Sequence, residues 1–308
     1  MIRRKLPAVP APPWGLAIAA MLSVQLGSAL SVDLIDQVGP GGTAWLRLSM
    51  GALFFVILAR PPLRQVRRQD VPPLLALGVT TGLMNTAFLA AIERIPLGTA
   101  VAIDFLGPLT VAAVRSQRAR ALIWPAMALL GVILLTEPWR GAVDLTGIAF
   151  AVLAATGWGA YILLTQRVGD RFDGISALSI TITIAAVTAA VIGVPQASGH
   201  LTLGVVAAAA GLALLLPVLP FALEMLALRQ MTHTAFGTLM ALEPAIGVLL
   251  GLIVLHQHVS IVQVAGILLV VVAGAAAQQG GRRARSIAHG NATADHDPLN
   301  EAAEIVQM

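Results

Sequence analysis

Apolar residues run along this chain in long blocks, each closed by a short stretch of polar or basic residues. Ten blocks can be read, at 14–33, 42–59, 72–91, 97–114, 122–137, 147–165, 175–195, 204–223, 235–255 and 261–279. A helix of about 20 residues at 1.5 Å per residue crosses roughly 30 Å of hydrocarbon, so most of these blocks are long enough to span a membrane. The fifth is the shortest. Glycine and proline occur inside the blocks, as membrane helices allow.

The second half of the chain repeats the first. Shifted by 132 residues, Trp14-Gly15-Leu16-Ala17 falls on Thr146-Gly147-Ile148-Ala149, Gly27 on Gly159 and Gly42 on Gly174. Shifted by 136, Pro108 falls on Pro244. Each unit holds five spans, and an odd number means that the second unit enters the bilayer upside down. The pattern therefore predicts an all-α membrane protein of ten transmembrane helices, built as two inverted five-helix repeats. The expected divisions are an N-terminal flank at 1–13, a first repeat at 14–138, an outer linker at 139–146, a second repeat at 147–279 and a polar tail at 280–308. The tail is expected to be disordered. Two inverted units facing each other create a natural site at their interface, which points to a transporter.

Arginine placement orients the map. With the N-terminus in the cytoplasm, the inner segments hold Arg3, Arg4, Lys5, Arg60, Arg64, Arg67, Arg68, Arg115, Arg118, Arg120, Arg167, Arg171, Arg229, Arg282, Arg283 and Arg285. The outer loops hold Arg94 and Arg140, beside Asp33, Asp36, Glu93, Glu137 and Asp144. That asymmetry follows the positive-inside rule and puts both termini inside. Arg3-Arg4-Lys5 before an apolar run resembles a signal peptide. The run is long, no small-residue cleavage site closes it, and it has a repeat partner at 147–165, so it reads as a true span.

Composition sharpens this picture by exclusion. Of the 308 residues 57% are hydrophobic and 11% charged, with mean hydropathy +0.86. Soluble domains carry about 25% charged residues. The net charge of +4 reflects loop arginines rather than a nucleic-acid surface. There is no cysteine, hence no disulfide, Cys-zinc site or Fe–S cluster. Lys5 is the only lysine, so neither a Walker A loop nor an intramembrane Schiff base is available. No cofactor is expected. His256-Gln257-His258 lacks a third ligand and reads as a solvated loop rather than a metal site.

The residues that break the apolar pattern are the candidates for chemistry. A charge at mid-bilayer costs about 2.5–3.5 kcal/mol on insertion scales. Arg47, Asp104, Glu224 and Glu243 carry such charges. Asp104 and Glu243 each lie about 10–12 Å from their helix start, near the midplane. They read either as a substrate or proton site, or as partners in ion pairs that lock helices together. Pro108 and Pro244 break matching helices in the two units, and paired breaks point to a transport site. Pro217 and Pro220 read the same way, more weakly. Gln25, Asn85, Trp158, Tyr161 and Gln166 are uncharged candidates. Asn85 reads equally as glue between helices, and Trp158 with Tyr161 lies on one helix face.

Several of these stretches resemble a known family. Leu46-Arg47-Leu48, Gly82-Leu83-Met84-Asn85, Ile95-Pro96-Leu97-Gly98-Thr99-Ala100-Val101-Ala102, Gly107-Pro108-Leu109, Leu223-Glu224-Met225 and Phe236-Gly237-Thr238-Leu239-Met240-Ala241-Leu242-Glu243-Pro244-Ala245 look like the threonine/homoserine exporters. Those belong to the EamA family of the drug/metabolite transporter superfamily. The resemblance covers about residues 14–279 and implies two EamA-like repeats and ion-driven efflux of small metabolites across the plasma membrane. Residues and resemblance together read as an inner-membrane exporter of small neutral amino acids, threonine- or homoserine-like, working by proton antiport, with Asp104, Arg47, Asn85, Gln25, Trp158 and Tyr161 as expected substrate contacts and Glu243 and Glu224 as expected proton-coupling acids. The chain departs from the pattern twice. The exporters have glutamate at the position of Asp104, and many members have an acid where this chain has Gln257. The expected partners are a small-molecule substrate, protons and the lipid bilayer, with no nucleic acid and with homo-oligomerisation left open. Two other classes stay open: an exporter of lipophilic cations or drugs, and a membrane-embedded enzyme. Against the enzyme, the sequence has no Gly-x-Ser-Gly, Gly-x-Gly-Asp or His-Glu-x-x-His.

Overall fold

The computed structural model describes residues 12–59, 66–115, 119–137, 139, 143–169, 174–228, 230–231 and 233–294. Arg3, Arg4, Lys5, Arg60, Arg64, Arg118, Arg140, Arg171 and Arg229 lie outside them, as does 295–308 of the tail. Among the described residues every regular element is helical. The long helices are α1 (Pro13–Ala59), α2 (Val71–Ile92), α6 (Leu145–Gly169), α7 (Gly174–Ala197) and α12 (Ile261–Ala294). The short ones are α3 (Leu97–Asp104), α4 (Leu106–Arg115), α5 (Ile123–Thr136), α8 (Leu203–Ala213), α9 (Leu219–Leu228), α10 (His233–Met240) and α11 (Glu243–Ile253). Seven helical segments are long and apolar enough to cross a membrane, and two shorter apolar helices, Arg120–Thr136 and Ile261–Ala277, accompany them. The polar stretch after residue 279, expected to be disordered, continues α12 as helix to Ala294.

The first two apolar blocks merge into α1, which is sharply kinked. Gly39 has φ 74° and ψ 166°, a region that only glycine occupies without strain. Pro40 follows and needs no hydrogen-bond acceptor for a missing N–H, which suits the start of the second segment. The next two amides are capped from α7, because Gln196 Oε1 accepts from Gly41 N–H at 2.8 Å and Gly42 N–H at 3.2 Å. Ser31 and Arg47, each eight residues from Gly39, meet side chain to side chain. Only a chain folded back on itself brings them together, so the two halves of α1 form a helical hairpin.

Small residues let the helices approach closely. The second half of α1 packs on α7, where Gly193 faces Gly41 and Trp45. The first half meets the break between α8 and α9, with Gly27 against Leu215 and Leu216. α2 packs on α6 and α7, α3 on α11, and α5 on α12. Leu97, Ala100, Ile103, Ala128, Ala185 and Val270 are buried at these crossings. Large apolar side chains also cover the outside, among them Val191, Leu203 and Ile261 at 76%, 87% and 90% exposure. Such a surface suits lipid, not water.

Polar links gather at the helix ends. Asp144 caps α6 by accepting from Gly147 N–H at 2.8 Å, and lies 3.6 Å from Arg94. The Gly147 amide first, and then Arg94, hold the Asp144 carboxyl below the usual carboxylate range. Glu137 accepts from Ser260 Oγ at 2.9 Å, and Gln263 Nε2 donates to the Leu135 carbonyl at 3.0 Å, tying α5 to the start of α12.

The hairpin in α1 yields a first test. A Cβ at position 39 would lie 2.7 Å from Gln196 Oε1, in backbone geometry that disfavours any L side chain. Gly39→Ala is expected to destabilise the protein by about 1–3 kcal/mol. The melting midpoint of the purified protein in detergent reads this out, and an unchanged midpoint would show that the hairpin does not need glycine.

Candidate functional site

Three helix breaks surround one cavity. α3 gives way to α4 at Phe105, and α10 to α11 at Ala241 and Leu242. These breaks sit at matching places in the two halves, three residues ahead of Pro108 and Pro244. Between α8 and α9 the chain passes through a π-helical stretch, Leu214–Val218, in which Leu216 is extended at φ −158° and ψ 109°. Interrupted backbone needs partners in an apolar setting. Ser23 Oγ supplies one by donating to the Leu215 carbonyl at 2.7 Å.

The cavity among these breaks has a volume of about 330 Å³. Its walls include Gln25, Arg47, Asn85, Asp104, Trp158, Tyr161, Glu224 and Glu243, with Pro217 and Pro220. Pro108 and Pro244 do not line it. Pro244 is instead buried in the first turn of α11, where a missing N–H costs nothing. The prolines that read more weakly in sequence thus form the wall, and the paired ones stand just behind the breaks. Gln166 belongs to α6, but its side chain lies outside the described residues.

Arg47 is the anchor of the site. It is 1% exposed, yet its only described hydrogen-bond partners are neutral. Nη1 donates to Ser31 Oγ at 3.2 Å, and Nη2 to Asn85 Oδ1 at 2.9 Å. Ser31 and Asn85 are fixed in turn, because Ser31 Oγ donates to the Gly27 carbonyl at 2.6 Å and Asn85 Nδ2 to the Thr81 carbonyl at 2.9 Å. Among the described residues both ion pairs belong to Arg94, so no acid locks Arg47. A guanidinium has five N–H donors, and two are taken, which leaves capacity for an anion.

Three carboxylates share the cavity with it. Asp104 ends α3, and its Oδ1 is shielded from solvent without a hydrogen-bond partner. Glu243 begins α11, is 4% exposed, and lies within electrostatic reach of both Asp104 and Glu224. These two acids thus sit at opposite helix poles, Asp104 at a C-terminus and Glu243 at an N-terminus. Among the described residues no group of three or more His, Cys, Asp or Glu is placed to hold a metal. Aromatic side chains close the remaining wall. Trp158 packs edge-on to Phe105 at 6.3 Å between ring centroids, and Tyr161 lines the same wall.

Gln257 has a role that its sequence context did not signal. Its Oε1 accepts from Leu97 N–H, the first amide of α3, at 3.2 Å. The loop before α12 therefore holds the helix that presents Asp104. Likewise Ser31 and Ser23 escaped notice, since a serine inside an apolar run is ordinary until its neighbour is known.

Residues 145–276 match the EamA-like transporter family. The chain is 37% identical over 254 residues to the threonine/homoserine exporter RhtA of Escherichia coli strain K12, covering 82% of this chain and 86% of that protein. It is 35% identical over 259 residues to RhtA of Salmonella typhimurium strain SL1344, covering 83% and 88%. The chain belongs to the EamA-like transporter family. The resemblance carried by the motif stretches is borne out, and this EamA-like protein is a membrane transporter rather than an enzyme. A solved crystal structure, 17% identical, superposes with TM-score 0.59 over 86% of this chain and 98% of that one. At that identity the likeness is one of fold.

For an EamA-like transporter, a buried arginine held by neutral oxygens is the most exacting element of the cavity. Asn85→Ala removes one of its two acceptors and is expected to lower stability by about 1–3 kcal/mol, the penalty for an orphaned buried donor. Thermal unfolding in detergent measures it. A wild-type midpoint would mean that Asn85 does not hold Arg47.

Proposed function

We propose that this transporter exports small neutral amino acids, threonine and homoserine first among them, from the cytoplasm across the inner membrane in exchange for protons. The observation that carries the reading is a single cavity with both polarities: a buried guanidinium that no acid neutralises, and three carboxylates. A zwitterion needs both. Arg47 takes the substrate carboxylate through its planar fork. Asp104 takes the ammonium. Glu243, aided by Glu224, holds a proton when the ammonium is absent and gives it up when the ammonium arrives, which couples the two fluxes. The volume lies at the small end of ligand pockets, about 300–1,000 Å³, as a small metabolite requires. The names of the relatives point the same way. One proton crossing 100 mV supplies about 2.3 kcal/mol, enough for a gradient of roughly 50-fold.

The architecture we infer is ten membrane helices in two inverted repeats, 14–138 and 147–279. The packing supports it. Exchange the halves and these contacts map onto themselves: the second half of α1 with α7, the α3–α4 segment with the α10–α11 segment, α5 with α12, and α2 on α6 matched by α1 on the α8–α9 segment. Both termini lie in the cytoplasm on this reading, as the arginine asymmetry requires. The polar links at Gln196, Gln257 and Glu137 then close the outer end, while Tyr161 and Glu224 extend the cavity toward the inner end. That is the arrangement for loading an export substrate.

A second reading, export of lipophilic cations, draws on the excess of acids over bases in the cavity. Arg47 separates the two. Arg47→Gln is expected to abolish amino-acid counterflow in proteoliposomes while the protein still folds, and lysine to rescue it poorly. Undiminished amino-acid transport by Arg47→Gln, or transport of cationic dyes alone, would sink the zwitterion reading.

Coupling and topology are tested separately. Glu243→Gln is expected to lose accumulation driven by a pH gradient yet keep substrate counterflow, and Asp104→Asn to lose both. If both variants keep wild-type pH-driven transport, the acids are structural. The chain has no cysteine, so single cysteines report without background. Cysteines replacing Gln65 and Ser286 should label from the cytoplasm and one replacing Ser198 from outside; outside labelling at Gln65 would overturn the inverted repeat.

A further inference from the structure

Among the described residues, Gln25 is the one neutral side chain lining the cavity whose fully buried acceptor has no partner. It lies midway along the first half of α1, is 3% exposed, and its Oε1 has no hydrogen-bond partner. Nearly all buried polar atoms in folded proteins are paired, so an orphan in a ligand cavity points to a ligand group. Its position is well defined. A Cβ added at Gly247 would lie 3.5 Å from Gln25 Oε1 and 3.1 Å from Val101 Cγ2. The amide therefore sits where α3 crosses α11. Val101 is three residues before Asp104 and Gly247 is four after Glu243, so each shares a helix face with one of the two acids. Gly247 leaves the space that this amide occupies.

We propose that Gln25 reads the side-chain hydroxyl of the transported amino acid. The inference rests on the amino-acid export reading of the same cavity. The three polar groups of a hydroxylated amino acid call for three chemistries. A carboxylate needs cationic donors, which Arg47 offers. An ammonium has donors only and needs negative charge, which Asp104 offers. A hydroxyl both donates and accepts, and an uncharged amide does the same. Gln25 carries no charge to waste on an ammonium, and it lines the same cavity as Asp104, which binds that group. A substrate lacking the hydroxyl would leave the amide unpaired in a buried place, so the site discriminates against it.

The test is counterflow in proteoliposomes with threonine, homoserine and 2-aminobutyrate, the last having neither hydroxyl. Wild-type protein should prefer the hydroxylated substrates by roughly tenfold to a hundredfold, the worth of one buried hydrogen bond. Gln25→Met keeps the bulk and removes the amide, and should bring the preference close to one while 2-aminobutyrate exchange persists. Gln25→Asn keeps a shorter amide and should retain part of the preference; it decides the matter if Gln25→Met does not fold. Wild-type preference in either folded variant, or equal loss of all three substrates in both, would overturn the role of Gln25. Wild-type exchange of 2-aminobutyrate as fast as threonine would also overturn it, but leave amino-acid export standing. Wild-type protein that exchanges no amino acid at all would sink the export reading itself, and this inference with it.

Discussion

A guanidinium cannot be packed among apolar helices unless oxygen atoms are brought to it. Arg47 is almost wholly buried, and the parts of the structure nearest to it can be understood as answers to that demand. Ser31 reaches it because α1 reverses at Gly39. Asn85 reaches it because α2 packs beside that hairpin, and Asn85 is held to the Thr81 carbonyl. Neutral partners satisfy the hydrogen bonds but leave the charge in place. Had a carboxylate been placed against Arg47, the pair would have been internally neutral and closed to a ligand. The three acids line the same cavity without an ion pair to Arg47, so the space keeps a positive region and a negative one.

The helix breaks serve the same end. A continuous helix consumes its own backbone polar groups and shows lipid or neighbours only side chains. Interrupting α3–α4 and α10–α11 places Asp104 and Glu243 at helix termini, and the break between α8 and α9 brings Leu216 and Pro217 to the cavity wall. Asp104 and Glu243 are each the terminal residue of a short helix, so small shifts of either helix would carry a charge with them. Gln257, holding the first amide of α3, links that helix to the loop before α12.

Much of this was legible in the sequence, and the parts that were not share a cause. The apolar blocks foretold where helices lie, because burial in an apolar medium is decided by composition over twenty or so residues. Arg47, Asp104, Asn85, Gln25, Glu224 and Glu243 stood out because polar groups in such blocks are costly, and the structure brings them to one cavity. Continuity was not legible. Gly39 and Pro40 lie between two apolar blocks in a stretch that reads as loop yet is helical on either side of the kink, and the extended Leu216 has no local signature beyond Pro217. The break positions near Pro108 and Pro244 were foreseeable, but not that the prolines themselves would stand outside the cavity. Partnerships were not legible either. That Ser31 and not an acid meets Arg47, that Gln196 caps the second half of α1, and that Gln257 caps α3 all depend on residues far apart in sequence. The helical continuation to Ala294 defied the polarity of that stretch.

The reversal at Gly39 bears on how the chain is made. A nascent segment carrying an arginine among apolar residues is a poor candidate for release into lipid on its own. Here the arginine and the serine that accepts from it sit at equal distances from a two-residue bend, in segments that emerge one directly after the other. They can therefore leave the translocation machinery as one hairpin with the guanidinium already partly satisfied. Asn85 is synthesised later and completes the set. Along the chain, the first acceptor of the guanidinium thus precedes Arg47 and the second follows it, so synthesis in chain order meets the charge with a partner from the start.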